Sequence, residues 1–274
     1  MSFLALVDCR EVETYCQGHI QGATCIPATE LAVRMHELPK RSEPLTLCGD
    51  PQQLVQAHEF LTSKGYQITQ QITWSAELHQ ELQLNGCLAF GAQSQRLWQP
   101  APLITHFVQT LMPAQAIQPG VGLDIACGAG RDMVYLALHG WQMTGLDYIP
   151  GALQRANQLA AQHQVQVTTQ LCDLEVGHDP FVAYATAQFD LICVVRYLHR
   201  PLFPWLKRIL KPGGIFIQQT FMQGCEQFGS PRNPHFLLKP GELADVFASA
   251  EILLNEVDYL EDGRPVSAFI ARVS

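Results

Sequence analysis

The chain has 274 residues, 47% hydrophobic and 15% charged, with a formal net charge of −8; free of repeats and low-complexity tracts, it is globular rather than disordered, collagenous or solenoid, with room for one large domain or two ordinary ones. The acidic excess is shared, with 6 basic and 10 acidic side chains in residues 1–98 against 11 and 15 in residues 99–274, which argues against a nucleic-acid partner because phosphate neutralisation supplies most of such affinity. Nine cysteines, odd in number and without a Cys-x-x-Cys pair, predict neither a disulfide scaffold nor a metal site and fit a reducing cytoplasm.

The start, Met1-Ser-Phe-Leu-Ala-Leu-Val-Asp8, has no basic opening and no cleavage site, so no signal peptide is expected. No apolar run approaches the roughly 20 residues of a membrane helix. From 1 to 84 short elements alternate: a strand at 4–8, a helix at 31–37, a strand at 45–48, a helix at 54–64 ended by Gly65, and a helix at 75–84. Residues 85–102 hold two glycines, two prolines and a polar run, Gln93-Ser-Gln-Arg96, and read as the linker.

From 103 onward the alternation lengthens. Helices are expected at 103–111, 132–139, 151–162, 204–210 and 241–248, and strands at 121–126, 142–147, 165–172, 189–195 and 214–220. That order predicts a parallel sheet covered on both faces. Two β-rich runs, 252–260 and 266–273, flank the turn-forming Glu-Asp-Gly-Arg and predict a terminal antiparallel hairpin. The fold class is α/β, with a Rossmann-like second domain over 103–274.

Chemistry concentrates at the expected strand ends. Asp124-Ile-Ala-Cys-Gly-Ala-Gly-Arg-Asp132 puts Gly128 and Gly130 in the turn between a strand and a helix, where glycines let the backbone approach a ligand and present N–H groups. The dinucleotide fingerprint is not met, because its third glycine would fall at Met133. Asp147 closes the next strand, where an acid can accept both ribose hydroxyls of a nucleoside, and Asp173 closes the third, where one can receive an adenine amino group.

With Gly145-Leu-Asp147-Tyr148, Cys172-Asp173-Leu174, the run from Phe189 to Arg200 and Leu210-Lys-Pro-Gly-Gly214, this half resembles class I S-adenosylmethionine-dependent methyltransferases of the tellurite-resistance-like, small-molecule branch. Ala126 stands where many members have glycine. The resemblance implies S-adenosylmethionine as cofactor, bound by Asp124, Ala126, Cys127, Gly128, Gly130, Arg131, Asp147, Tyr148, Asp173, Leu174 and Val194.

Methyl transfer from a sulfonium needs a positioned nucleophile and a dry site more than a base. The pocket of such a sheet lies beyond the carboxyl ends of its middle strands, so Arg196, Tyr197 and His199 border it and are the candidate catalytic residues. Residues 221–239 read as a lid or binding loop. Its Phe221, Phe228 and Arg232, with Arg196 and Arg200, would bind an anionic acceptor.

Residues 1–84 resemble a single rhodanese domain, through Val7-Asp-Cys-Arg-Glu11, Gly18-His-Ile-Gln-Gly-Ala-Thr-Cys-Ile-Pro27, Leu45-Thr-Leu-Cys48 and Phe60-Leu-Thr-Ser-Lys-Gly-Tyr66. Cys48 takes the position of that family's persulfide-carrying cysteine. The segment after it, Gly49-Asp-Pro-Gln-Gln-Leu54, has no cation to favour a thiolate, and Asp50 opposes one. The expected protein is therefore a methyltransferase acting on a small thiol or anionic acceptor, with a rhodanese-like domain of reduced or no sulfurtransferase activity. Two alternatives stay open: sulfur transfer through Cys48, and a non-catalytic S-adenosylmethionine sensor.

Overall fold

The computed structural model describes residues 5–274. Residue 4, the expected start of the first strand, lies outside them. The chain divides into one unit that ends at Gln99 and a second from Pro100 to Ser274. No helix of the described residues is long and apolar enough to cross a membrane.

In the first unit, strands β1 (Leu6–Asp8), β3 (Thr24–Cys25), β4 (Pro44–Gly49) and β5 (Gln67–Thr73) form a parallel sheet in the order β3-β1-β4-β5. Helices α1 (Val12–Cys16), α2 (Leu31–Arg34), α3 (Pro51–Ser63) and α4 (Ala76–Leu84) connect and flank them. Ser75 caps α4 by accepting the Leu78 amide at 3.2 Å, which satisfies an otherwise orphan donor. Strand β5 escapes a hydrophobic-pattern reading because it is an edge strand of sequence QITQQIT, mostly exposed.

The expected linker is largely built into this unit. Strand β6 (Leu88–Ala89) pairs antiparallel with β2 (His19–Ile20). The Gln93 carbonyl accepts the Tyr15 hydroxyl at 2.7 Å, Ser94 Oγ accepts the Cys25 amide at 3.0 Å, and Leu97 and Trp98 are buried. Polar residues there complete backbone hydrogen bonds of the unit, and the division falls at Gln99/Pro100.

The second unit is a seven-stranded sheet of β7 (Val121–Ile125), β8 (Gln142–Asp147), β9 (Val167–Leu171), β10 (Phe189–Val195), β11 (Leu210–Gln219), β12 (Glu251–Tyr259) and β13 (Pro265–Arg272), in the order β12-β13-β11-β10-β7-β8-β9. Strands β7 to β11 are parallel, and β13 runs antiparallel to both β11 and β12. The hairpin thus extends the sheet as expected. Helix α5 (Pro102–His106) continues through a π turn into α6 (Met112–Ala114), and α7 (Arg131–Leu138), α8 (Pro150–Gln162), α9 (Phe203–Ile209) and α10 (Glu242–Val246) complete the unit.

Apolar residues of the central strands, among them Leu123, Ile125, Ile192 and Phe216, are fully buried in one core with Phe247 and Phe269. The Phe216 and Phe247 rings stack at 4.4 Å. The strand order reverses between β7 and β10, so the carboxyl ends of β7, β8 and β10 lie at a topological switch point, where such sheets form their ligand crevice.

The segment 221–239 is not structureless. Phe221 bridges Val266 and Met222 bridges Leu238, while Cys225, Leu237 and Leu238 are buried. Arg200 explains the compaction. Its guanidinium holds Glu242 at 2.5 and 2.9 Å and donates to the His235 and Leu237 carbonyls at 2.8 Å.

Candidate functional site

The loop after β7 carries three successive demands on the backbone. Ala126 at φ +56° and Gly128 at +56° are left-handed, and Gly130 at +79° caps α7. For an alanine this geometry costs about 1–2 kcal/mol, so Ala126 is more strained than its small side chain suggests. A Cβ on Gly130 would lie 2.7 Å from the Ala156 Cβ, whereas one on Gly128 would meet nothing within 4 Å. Gly130 therefore lets α8 close on the loop, and Gly128 leaves open space above it.

Asp147 ties the loop to the next strand. Its Oδ2 accepts the Gly128 amide and its Oδ1 the Ile149 amide, both at 2.9 Å. Each oxygen keeps a lone pair for a further donor. Cys127 is a packing residue, its Sγ seated where a Cβ on Gly145 would be, and burial pushes its thiol pKa up.

Asp124 is buried at the end of β7, and its Oδ2 has no hydrogen-bond partner. Burial, then the neighbouring Asp132, hold this carboxyl well above the usual range. Asp132 is itself raised by burial while its Oδ1 accepts the Ala101 amide at 2.6 Å. Two acids facing an open loop make a site for a cationic group, which would relieve both.

The other expected cofactor residues divide by exposure. Tyr148 is 70% exposed, and Arg131 and Asp173 are also exposed, with Asp173 accepting the Glu175 amide at 2.9 Å. Leu174 and Val194 are buried in the core. An open glycine loop, a strand-end carboxylate able to take a diol and a buried carboxylate with one unpartnered oxygen fit the nucleoside and the ammonium group of S-adenosylmethionine.

Around the crevice, Arg196 follows β10 at φ +60° and its amide donates to the Gln219 carbonyl at 2.7 Å. Its guanidinium lies over the Phe221 ring at 4.9 Å. The Tyr197 hydroxyl donates to Glu175 at 3.3 Å, and burial and that carboxylate push the phenol up, so it is kept protonated. His199 is partly buried. Phe228 is 55% exposed and Arg232 is exposed, its Nε donating to the Gly229 carbonyl at 3.3 Å. The expectation that Arg200 binds an acceptor is corrected: Glu242 and two carbonyls occupy its guanidinium.

The sequence reading missed Arg264 and Asp132. Arg264 lies in the β12–β13 turn, its guanidinium 4.9 Å over the Phe221 ring, and only a reading that brought the hairpin turn beside the start of the 221–239 segment could have found it. Asp132 was visible in the motif as the residue after Arg131, but its proximity to Asp124 needed the helix geometry.

In the first unit Cys48 is buried in β4 among Leu6, Tyr15, Ile20 and Cys25. Asp50 and Gln53 form a capping box, with the Asp50 amide donating to Gln53 Oε1 at 3.2 Å, so α3 starts at Pro51 without an intervening loop. Burial first and Asp8 second push the Cys48 thiol up to about 12. Arg10, the nearest cation, is bound bidentately by Asp8 at 2.6 and 2.9 Å and stacks 3.6 Å over Trp74.

Two family models match: a rhodanese-like domain over residues 2–73 and a methyltransferase domain over residues 123–214. A Schizosaccharomyces pombe protein, uncharacterized protein UNK4.09, is 22% identical over 97% of this chain and 92% of its own. The uncharacterized methyltransferase sll0829 of Synechocystis is 35% identical over 40% of this chain and 52% of its own, so the chain spans about half that relative. The crystal structure of TehB from Haemophilus influenzae is similar at 21% identity and a TM-score of 0.49, over 60% of this chain and 61% of that one. The chain joins a rhodanese-like domain to a methyltransferase domain.

Proposed function

We propose that the second unit transfers a methyl group from S-adenosylmethionine to a small-molecule acceptor, a thiol or an anion, at the carboxyl edge of β7, β8 and β10. The observation that carries this reading is the placement, at the carboxyl ends of the neighbouring strands β7 and β8, of the open Gly128 backbone, the Asp147 carboxylate bonded to it and the unpartnered Asp124 Oδ2. When bound, S-adenosylmethionine supplies an electrophilic methyl on a sulfonium. Asp147 would take the ribose hydroxyls, and Asp124 with Asp132 would receive the ammonium, becoming ionised as it enters. Exposed Tyr148 and Asp173 would flank the adenine.

Chemistry asks little further of the chain. In an in-line displacement that dissipates charge, position and exclusion of water dominate. Arg196 would orient an acceptor. Tyr197, held protonated beside Glu175, can donate a hydrogen bond but not take a proton, leaving His199 to do so where the acceptor carries one.

The first unit is proposed to be a docking or delivery module with reduced or no sulfurtransferase activity. This rests on Cys48, which is buried in a strand with its thiol disfavoured from ionising. Incubation of the whole protein with methyl-tritiated S-adenosylmethionine and a cell extract separated by size tests the function. Label in a small molecule other than unreacted S-adenosylmethionine is expected, and transfer confined to nucleic acid or protein would contradict it.

A further inference from the structure

Arg196 and Arg264 come from distant parts of the chain, yet both guanidinium carbons lie 4.9 Å from the centroid of one ring, Phe221. They differ in what neutralises them. Arg264 is paired with Asp262 at 2.8 Å and donates to the Ser230 carbonyl at 2.6 Å. Arg196 has no carboxylate within ion-pair distance among the described residues. Two acids lie in its field: Asp132, which accepts the Ala101 amide and lies beside Asp124, and Asp262, which is paired with Arg264. Burial and the Arg264 charge lower the pKa of Arg196.

The backbone singles out the same residue. A left-handed arginine at φ +60° stores backbone strain, which persists where the surroundings over-determine the geometry and clusters at ligand clamps. Its position is fixed by register: Val194 pairs with Ile125, the residue before the cofactor loop. An arginine two residues further on stands at the mouth of the proposed methyl-transfer site. Stacked on a ring, a guanidinium keeps its planar edge for a bidentate oxyanion. Beside the Arg264 turn, Phe228 is 55% exposed and its ring lies where a Cβ on Gly263 would be, an apolar surface next to the cation.

We propose, resting on the methyltransferase reading, that the methyl acceptor is an organic carboxylate or equivalent organic anion whose charged group is read by Arg196, with Arg264 as a positioning residue that holds the Phe221 platform. Arg264 is not itself the reader because Asp262 and Ser230 already occupy it. The exposed face of Phe228 would take the apolar body, which distinguishes such an acceptor from a bare inorganic oxyanion.

The test is calorimetric titration of the full-length protein, saturated with S-adenosylhomocysteine, with benzoate and its neutral isostere benzamide, and with acetate as an anion lacking the apolar body. Benzoate is expected to bind at least tenfold tighter than benzamide and tighter than acetate. Arg196→Gln should remove the preference for the anion, Arg196→Lys should restore part of it, and Arg264→Gln should weaken it. Equal binding of benzoate and benzamide, or a preference surviving Arg196→Gln, overturns the proposal; acetate binding as well as benzoate overturns the apolar part. Failure of the unaltered protein to bind S-adenosylhomocysteine is a different result, which overturns the methyltransferase reading and the proposal with it.

Discussion

Asp147 and Gly128 are joined by one hydrogen bond of 2.9 Å, from the loop amide to carboxylate Oδ2, that locks the end of β8 to the turn after β7. The bond sets the height of the loop over the sheet, and the two glycines of that loop have separable roles. Gly130→Ala should destabilise the second unit by about 1–3 kcal/mol, because its Cβ would collide with Ala156 at φ +79°. Gly128→Ala should cost only about 1–2 kcal/mol of backbone strain but weaken S-adenosylhomocysteine binding at least tenfold by filling the open space. Urea unfolding and calorimetry on both variants check the ranking, and its reversal would contradict the loop assignment.

The buried acids predict a pH dependence. Asp124 and Asp132 are both held above the usual carboxylate range, so over that window the folded protein carries more protons than the unfolded chain. Their contribution to stability is whole below about pH 4 and is lost as pH rises through the folded values. Asp132→Asn removes the like charge and should flatten the decline above about pH 4. Urea titrations of the cofactor-free protein across that range measure it; an unchanged slope in the variant would refute the coupling.

Cys48 should be a slow thiol. With its pKa near 12, about one molecule in 10⁴ is thiolate at pH 8. Iodoacetamide labelling in a variant lacking the partly exposed Cys16, Cys87, Cys127 and Cys172 should accelerate only above about pH 10, and thiosulfate should leave no persulfide. A labelling midpoint below pH 7 with persulfide formation would establish Cys48 as a sulfur carrier.

Arg200 should matter to the loop rather than to the acceptor. Arg200→Ala removes the contacts to Glu242, His235 and Leu237, and proteolytic cutting within residues 227–236 should rise several-fold as local opening becomes easier. Cutting equal to that of the unaltered protein would show that the segment is held by its buried Cys225, Leu237 and Leu238 alone.

The second unit was legible because its signals are local: buried strands such as LICVV, acids at strand ends and glycines at a strand-to-helix turn all lie within short windows. The terminal hairpin was legible for the same reason, through the turn residues before Arg264. What stayed hidden depends on distant partners. Polar Gln93, Ser94 and Gln95 read as linker because their backbone and side-chain bonds to Tyr15, Thr24 and Cys25 cross some 70 residues, and β5 has too few buried positions to show a period. In the site, Arg200 was indistinguishable from Arg196 by sequence, since only the fold brings Glu242 against one and leaves the other without a carboxylate.

The central claim is that the crevice above β7 and β8 holds S-adenosylmethionine through Asp147. Calorimetric titration of the full-length protein with S-adenosylhomocysteine, beside an Asp147→Ala variant, tests it most directly. The account predicts one site per chain and at least a tenfold loss of affinity in the variant, since charge-assisted hydrogen bonds to the ribose hydroxyls are worth about 1.5–3 kcal/mol each. Equal affinity in the two proteins, or no binding to the unaltered one, would contradict it.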